Sequence, residues 1–555
     1  MQTNKMRVGI GFLVAIALGG CGSEGGSASG SGGAGGIGGG GGNGGAGGGV
    51  GGSGGGSGGA GGSPLVCVPN SPVSCYTGPA NTAGVGLCLA GSAMCNDQGT
   101  ALGPCMGEVL PAAENCATMA DENCNGAGPD CGVSVWSKNF GDFDGQYGRS
   151  IAADAMGNVF VCGVFHSKLD LGGGPITSNA LDGFLTKLDP SGNHLWTKHY
   201  TGDSSQYPTS LAVDTAGNVV VVGSFAGTTD FGGGALVATD SDVFVAKYNA
   251  AGTHLWSKRY GEADVQAASA VAIDATGNIT IGGTLLGAAD FGGGLMTATD
   301  IDLFGIKLDP NGNHVWSKRF DQALGSQPEL MGVAVDSAGN VAFTGYFFTS
   351  IDLGGGPLAS AGNGDVFVVK LGPGGQHVWS KRFGNGLFQY AAGVGFDGGG
   401  NLFLAGGVTG SIDLGGGALV SAGSEDAFVA KLDAAGAHLW SKRYGDGQSQ
   451  GFYDIAVSKT GDIALSLLLR GTVDFGGGPL TGAGVDIAIA RLDSSGNHVW
   501  SRRAGDDSPQ SANAIAFDEA GHVLLTGELV GSIDFGSGML TSAGSSDLLI
   551  AKLAP

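Results

Sequence analysis

The sequence predicts an all-β protein built around a seven-bladed β-propeller. All seven tryptophans recur at one phase and at nearly equal intervals: Trp136, Trp196, Trp256, Trp316, Trp379, Trp440 and Trp500. Short runs of Val, Ile and Phe alternate with Asp/Asn-Gly turns, which are hairpin signals, and no stretch shows a long helical period. A fixed period of this length indicates a repeat architecture in which each repeat is one four-stranded blade.

The two ends of the repeat region complement each other. The last strand ends at Lys552-Leu553, and the first Trp strand, at 133–140, has no predicted partner upstream. Pairing these two strands would close the ring and remove both edges. One strand of each repeat carries a small residue at a fixed position and is predicted to be innermost: Ala152, Ala212, Ala272, Ala334, Gly395, Ala456 and Ala516. The Trp strand would then be outermost, with Trp packing between blades.

The repeat itself has a recognisable consensus. Ile-Ala-x-Asp-x-x-Gly-Asn-Val, followed by Asp-x-Phe-Val-Ala-Lys-Leu-Asp, resembles the seven-bladed β-propeller repeat family of bacterial exported proteins, and the resemblance covers residues 133–555. It implies the fold and says little about chemistry, because one fold hosts many functions.

Residues 1–21 are predicted to be an export signal. Lys5 and Arg7 precede a short apolar core that is too short to span a bilayer as a stable anchor. Leu18-Gly19-Gly20-Cys21 resembles the lipobox of bacterial lipoproteins, which implies that Cys21 is lipidated and anchors the protein to a lipid membrane. An ordinary cleaved signal with an incidental Cys is the alternative. Gly22, rather than Asp, after the Cys favours an outer-membrane or cell-surface location.

A flexible linker is predicted over residues 22–63, where 27 of 42 residues are Gly. A coil of this length and composition has a root-mean-square span of about 36 Å, so it would hold the folded part away from the lipid surface.

The chain carries a net charge of −23. This balance argues against nucleic acid as a partner, because a nucleic-acid binder needs a basic patch to neutralise phosphates.

Residues 64–132 form a predicted Cys-rich acidic module. An even number of cysteines in a short exported segment indicates four disulfides, with the connectivity left open. The eight cysteines are Cys67, Cys75, Cys88, Cys95, Cys105, Cys116, Cys124 and Cys131. A zinc module is disfavoured because the segment has no Cys-x-x-Cys pair.

One acidic stretch of this module is a candidate metal-binding site. Residues 114–126, Glu-Asn-Cys-Ala-Thr-Met-Ala-Asp-Glu-Asn-Cys-Asn-Gly, resemble the acidic Cys motif of MopE-like surface proteins, which are described as metal-binding. The resemblance implies a Ca²⁺ or Cu site, with carboxylates that suit a hard cation such as Ca²⁺. The candidate ligands are Glu114, Asp121, Glu122 and Asp130. A solvated acidic face on a disulfide-stapled module is the alternative.

The longer loops are predicted to lie on one face of the ring, where two polar residues recur. A Gln follows every Trp by ten or eleven residues: Gln146, Gln206, Gln266, Gln327, Gln389, Gln450 and Gln510. An Asp opens every glycine-rich loop: Asp170, Asp230, Asp290, Asp352, Asp413, Asp474 and Asp534. One interpretation is a ring of amides and carboxylates at the channel mouth that binds sugar hydroxyls or a cation. The other is hydrogen bonding between blades and Asx-turn chemistry.

Catalysis has little support in the sequence. Six of nine histidines occupy one repeated position before Trp, whereas a catalytic pair should break the symmetry. The polar residues that do break it form no recognisable pair: Arg149, His166, Lys168, His199, Glu329 and Arg470. Cys162, alone on a strand, is predicted to be a buried free thiol.

The sequence therefore predicts a surface-tethered, non-enzymatic binding or scaffold propeller for a polysaccharide or protein ligand. A metal-binding surface protein acting through the Cys-rich module, or a carbohydrate-active propeller enzyme, are the alternatives.

Overall fold

A computed structural model describes residues 66–112, 121–122, 124, 131–262, 264–325 and 327–555. The predicted signal with Cys21, the glycine-rich linker, and Glu114, Cys116 and Asp130 lie outside these ranges. Within them the regular structure is entirely β, and no helix is present that could cross a membrane.

The N-terminal module is a small disulfide-bonded unit. Its two strands, β1 (Pro72–Cys75) and β2 (Gly91–Met94), pair antiparallel. Three disulfides are present among the described residues: Cys67–Cys95, Cys75–Cys105 and Cys88–Cys124. Cys131 is also disulfide-bonded. The prediction of a disulfide module is confirmed for these residues.

Seven four-stranded antiparallel blades form the predicted ring, and we number them 1 to 7 in chain order. The sheet of blade 3 continues into a hairpin of blade 4 and has six strands in all. The first strands are β4 (Gln146–Ala153), β10 (Gln206–Val213), β16 (Gln266–Ile273), β20 (Glu329–Val335), β26 (Gln389–Phe396), β30 (Gln450–Val457) and β36 (Gln510–Phe517). The second strands are β5 (Val159–Phe165), β11 (Val219–Phe225), β17 (Ile279–Asp290), β21 (Val341–Phe347), β27 (Leu402–Asp413), β31 (Ile463–Leu469) and β37 (Val523–Leu529).

The third and fourth strands complete each blade. The third strands are β8 (Asp182–Leu188), β14 (Asp242–Tyr248), β18 (Leu295–Leu308), β24 (Asp365–Leu371), β28 (Ala418–Leu432), β34 (Asp486–Leu492) and β40 (Asp547–Leu553). The fourth strands, which carry the Trp, are β9 (His194–Tyr200), β15 (His254–Tyr260), β19 (His314–Gln322), β25 (His377–Phe383), β29 (His438–Tyr444), β35 (His498–Ala504) and, for blade 7, β3 (Ser134–Phe140).

A short hairpin joins the second and third strands of each blade. Five blades have separate hairpin strands: β6 (Lys168–Leu169) with β7 (Ile176–Thr177), β12 (Thr228–Asp230) with β13 (Ala235–Val237), β22 (Ser350–Asp352) with β23 (Pro357–Ala359), β32 (Thr472–Asp474) with β33 (Pro479–Thr481), and β38 (Ser532–Asp534) with β39 (Met539–Thr541). In blades 3 and 5 the hairpin continues the long second and third strands.

The predicted strand order is confirmed. First strands of neighbouring blades contact one another around the whole ring, so they surround the axis, and the Trp strand is the last of the four strands of each blade. Because all pairs are antiparallel, the turns between strands one and two and between strands three and four lie on one face, which we call the turn face. The other two connections leave from the opposite face, which we call the loop face.

The ring closes without a covalent turn. β3 pairs with β40 from Ser134↔Leu553 to Phe140↔Leu548, as predicted. Gly132, at φ +66°, lies against the Trp500 ring, and its N–H donates to the Ala554 carbonyl at 3.2 Å. Residues from the two ends of the ring therefore imitate the turn that joins strands three and four elsewhere.

Each Trp packs against the next blade, as predicted. The Trp196 ring lies beneath Gly252, a turn residue of the next blade at φ +79°, where a Cβ would approach the ring to 2.9 Å. The Trp196 indole N–H donates to the Ala250 carbonyl at 3.2 Å. Equivalent indole bonds, of 3.0 to 3.3 Å, are made by Trp136, Trp256, Trp316, Trp379 and Trp440. The glycine is required both by its left-handed φ and by this contact.

The buried ion pairs that recur from repeat to repeat lie within single blades. Lys187 Nζ is 3.0 Å from Asp154 of its own blade, and its link to the next blade is a hydrogen bond to the Ala250 carbonyl. The same pairing recurs in six blades: Lys187–Asp154, Lys247–Asp214, Lys307–Asp274, Lys370–Asp336, Lys431–Asp397 and Lys552–Asp518. In blade 6, where Ser458 replaces the aspartate, Arg491 pairs with Asp462 at the other end of the turn. Neighbouring blades are joined by apolar packing and by hydrogen bonds in which one partner is a backbone group, such as the bonds to the Ala250 carbonyl and from the Leu211 N–H.

Candidate functional site

Six of the seven repeated glutamines are buried and bonded to their own loops. The Gln389 amide nitrogen donates to Asn385 Oδ1 at 2.8 Å and to the Thr409 carbonyl at 2.7 Å, and its amide oxygen accepts the Asn385 backbone N–H. Its buried equivalents are Gln146, Gln206, Gln266, Gln450 and Gln510. These amides fasten the loop before the first strand to the end of the second strand. They offer no surface to a ligand, which corrects the interpretation of them as a binding ring.

Gln327 is not equivalent to the other six. It is exposed, and the matching position in blade 4 is Pro328. The register shows this, because Glu329 pairs with Tyr346 as Tyr147 pairs with Val164 in blade 1. Gln327 follows Trp316 at the spacing of the sequence pattern, but it lies one residue before the position that the buried glutamines occupy in the other blades.

The aspartates of the glycine-rich loops lie at the outer rim, which corrects their placement at the channel mouth. Asp290 Oδ1 accepts the N–H groups of Gly292 and Gly294 at 2.7 and 3.0 Å. All seven aspartates make this pair of bonds. The hairpin folds back over its own blade, so that Gly293 lies against His314 at the start of the fourth strand. Asx-turn chemistry therefore accounts for these residues.

The repeated histidines also have a structural role. His377 Nε2 lies 3.1 Å from Ser380 Oγ, beneath the tip of the hairpin. The same bond to a Ser or Thr three residues on is made by His194, His314, His438 and His498. Cys162 is free and buried, as predicted, and burial raises the pKa of its thiol.

Of the predicted metal ligands, Asp121 and Glu122 are described, and both are half-buried. Within the described ranges, no group of three or more His, Cys, Asp or Glu is arranged to hold a metal ion.

The position directly after the buried Gln breaks the sevenfold symmetry. It lies on the innermost strand at the loop face, and it carries Tyr147, Tyr207, Ala267, Glu329, Tyr390, Gly451 and Ser511 in turn. Around it lie half-buried aromatic and charged side chains that we call the mouth cluster: Tyr147, Arg149, Tyr207, Glu329, Tyr346, Phe348, Phe388, Tyr390, Glu425, Tyr453, Arg470 and Glu528. Sequence reasoning singled out three of these residues and did not bring them together.

Arg149 lies between two tyrosine rings of the mouth cluster. Its guanidinium carbon is 5.7 Å from the ring centroid of Tyr147 and 5.3 Å from that of Tyr207 on the next blade, both cation–π distances. Its Nε is buried without a hydrogen-bond partner. The guanidinium group thus lies between two aromatic rings and donates no hydrogen bond to a described residue.

Two carboxylates of the cluster each accept a tyrosine hydroxyl. Tyr346 Oη donates to Glu329 at 2.7 Å, and Tyr390 Oη donates to Glu425 at 2.8 Å. Burial raises the pKa of both glutamates, and the tyrosine hydroxyls oppose that rise. Gly451 makes room for the second pair, because a Cβ there would lie 2.4 Å from both of its oxygens.

Aromatic rings connect these two pairs. Phe388 lies edge-on to Tyr346, with ring centroids 5.1 Å apart, and stacks with Phe348 at 6.2 Å. Phe388 also contacts Tyr390, at 5.7 Å. Blades 4 and 5 thus contribute a continuous aromatic patch bordered by Glu329 and Glu425.

Glu528 couples the remaining members electrostatically. Burial and then the Glu528 carboxylate raise the pKa of Tyr453 to about 12, while Arg470 opposes the rise. Glu528 also acts, after burial, to raise the pKa of Tyr147. The cluster therefore continues across blades 6, 7 and 1. It combines flat apolar faces with fixed donors and acceptors, which is the composition of a small-ligand site.

Comparisons with known proteins agree with the fold and do not identify a family. No family model matches the chain. The chain is 24% identical over 185 residues to an uncharacterized WD repeat-containing protein of Acanthamoeba polyphaga mimivirus, a match that covers 27% of this chain and 13% of that protein. The chain thus spans about an eighth of that relative.

Two solved structures are similar at low identity. A protein of unknown function from Bacteroides caccae shows 12% identity and a TM-score of 0.29, covering 56% of this chain and 92% of its own. A puromycin hydrolase variant shows 9% identity and a TM-score of 0.40, covering 72% of this chain and 53% of its own. Neither is close enough to transfer a function.

Proposed function

We propose that this protein is a surface-tethered binding protein that holds a polysaccharide at the mouth cluster without turning it over. The mouth cluster carries this proposal, because it is an asymmetric site on an otherwise symmetric ring. Sugars present C–H faces that pack on aromatic rings and hydroxyls that both donate and accept hydrogen bonds. The aromatic patch of Phe388 and Tyr390, bordered by Glu329 and Glu425, matches both requirements.

The scaffold favours binding because the site is preorganised. Tyr147, Tyr207 and Tyr390 stand on the innermost strands, and their neighbours are held by the buried glutamines and by the paired blades. A side chain fixed in this way loses little conformational freedom when a ligand arrives, so more of the contact energy appears as affinity.

The proposed location is the cell surface or outer membrane, with a lipid on Cys21 and the glycine-rich segment as a tether. The three disulfides of the N-terminal module support an oxidising, extracytoplasmic compartment. A propeller on a long tether could capture a polymer while remaining attached to the cell.

The test is binding of the full chain to an array of purified polysaccharides, with the variant Tyr390→Ala. We expect the wild-type chain to bind at least one polysaccharide and the variant to bind it about 10- to 100-fold more weakly, because an aromatic contact and a hydrogen bond are lost together. Reducing ends are measured in the same mixtures, and their release would favour an enzyme over a binding protein.

The matched control is Met156→Ala, which truncates a side chain that is 70% exposed on the turn face. It should bind as the wild-type chain does. Equal losses in the two variants, or wild-type affinity in Tyr390→Ala, would remove the mouth cluster as the site.

A further inference from the structure

Most basic side chains of the propeller have a repeated structural role, and among the arginines two do not. Of the nine arginines in the described ranges, Arg149 and Arg470 are those whose guanidinium groups make neither an ion pair nor a hydrogen bond with a described residue. Arginines such as Arg259 and Arg503 instead pair with a buried Asp of their own blade. The two exceptions both belong to the mouth cluster, on blades 1 and 6.

Leaving these groups unpartnered has an energetic cost. Both side chains are half-buried, and the Nε atoms of both are enclosed without an acceptor. Arginine cannot escape this cost by losing its proton. A buried donor without a partner destabilises the folded protein, and more so when the group is charged. A ligand that supplies acceptors would recover that energy, so the positions favour an anionic partner.

The shape and surroundings of the site define the anion. The guanidinium fork matches a carboxylate through two parallel hydrogen bonds, and the Arg149 fork lies between the rings of Tyr147 and Tyr207. Glu528 and Glu425 lie in the same cluster, and their carboxylates repel a doubly charged phosphate more strongly than a singly charged carboxylate. The glutamates remain suited to accept sugar hydroxyls.

We propose that Arg149 and Arg470 recognise the carboxylates of an acidic polysaccharide, so that the ligand is a polyuronate. This inference rests on the proposed function and deepens it. A polyuronate offers a carboxylate to each arginine and sugar rings that can pack on the tyrosines of the mouth cluster.

The test uses the full chain and two probes that differ only in the carboxylate: polygalacturonate oligosaccharides and the same oligosaccharides after carboxyl reduction. Calorimetry is expected to give at least tenfold tighter binding of the acidic form. Arg149→Met should weaken that binding about 10- to 100-fold, the equivalent of about 1.5–3 kcal/mol for a charged hydrogen bond. Arg149→Lys, which keeps the charge and loses the fork, should recover part of it. Arg470→Met provides an independent second variant.

The control is Lys459→Met, which removes one positive charge from the turn face, where Lys459 is exposed beside Glu519. Its affinity should equal that of the wild-type chain, and a melting curve confirms that each variant is folded. Equal binding of the acidic and reduced oligosaccharides, or binding of other, neutral polysaccharides alone, would overturn the carboxylate assignment and leave the proposed function standing. If Lys459→Met weakened binding as much as Arg149→Met does, the preference for the acidic form would reflect general charge attraction, and the carboxylate assignment would be overturned. Failure to bind any polysaccharide would overturn both.

Discussion

A disulfide across the ring closure is expected to stabilise the protein far more than the same disulfide inside a blade. Ser137 of β3 lies opposite Ala551 of β40, and only non-covalent contacts join these strands. The double variant Ser137→Cys/Ala551→Cys would close a loop that contains nearly the whole propeller. The unfolded chain loses more conformational freedom when a longer loop is closed. This disulfide should therefore raise the free energy of unfolding more than a disulfide inside one blade.

The repeat supplies a matched control within blade 2. Ala246 and Ser257 are the same residue types in the same register, and their disulfide would close only the hairpin between the third and fourth strands. The two loops differ in length by a factor of roughly 40, which predicts about 3 kcal/mol more stabilisation for the closure disulfide. Urea unfolding of the two oxidised variants and the wild-type chain measures it. Equal stabilisation would mean that opening of the closure contributes little to unfolding.

The blade architecture could be predicted because it repeats. A Trp recurs once in every repeat because it has the same structural role in each blade. Trp196, for example, contacts a turn glycine and a backbone carbonyl of the next blade. The role of Gly132 was not visible in the same way. It precedes the first repeat in the chain and acquires its turn-like place only when the C-terminal Ala554 folds beside it.

The site was predicted less well, for the opposite reason. The sequence pattern indicates a ring of identical residues such as Gln389, and the structure shows that they are identical because each serves its own blade. The ligand-facing candidates occur one residue later, at Tyr390 and its equivalents, where the blades differ. Aligning the seven repeats and looking for the variable position would have found them. The pairing of Tyr390 with Glu425 needs the folded blade, since 35 residues separate them.

The glycine-rich loops show a third limit. Their sequence predicts an Asx turn, and the structure confirms one at Asp290. Where the turn ends up depends on the hairpin folding back across its blade, with Phe291 buried in the core and Gly293 against His314. The path of the hairpin depends on packing between segments that are distant in the sequence. The residues of the turn alone therefore do not predict where it lies.

Replacing Asp454 by Ser should stabilise the protein above neutral pH and have no such effect in acid. Asp454 stands on an innermost strand where blades 1 and 2 carry Ser150 and Ser210, and all three side chains accept a backbone N–H of the next blade. The serines do this without charge. Burial raises the pKa of Asp454 to about 7, although the N–H groups of Ile515 and Ile455 oppose the rise.

The sign of the effect follows from proton binding. Between the unfolded value of 3.8 and the folded value of about 7, the folded protein holds a proton that the unfolded chain has lost, so stability falls as the pH rises through this window. Above pH 7 the full cost of the charged form is present. Because Asp454 is half-buried rather than enclosed, we expect Asp454→Ser to raise the free energy of unfolding by about 2 kcal/mol at pH 8 and by little at pH 4.

Asp336→Asn is the control of opposite sign. Although burial opposes it, hydrogen bonds from Asn340 and Lys370 hold the pKa of Asp336 below its usual range, so its ionised form stabilises the folded state. Its replacement should destabilise the protein at pH 8, because Lys370 would lose the carboxylate that lies 3.2 Å from it. Urea unfolding at pH 4 and pH 8 separates the two variants. A gain in Asp454→Ser that persisted at pH 4 would show that packing, rather than the charge of Asp454, sets the stability of this position.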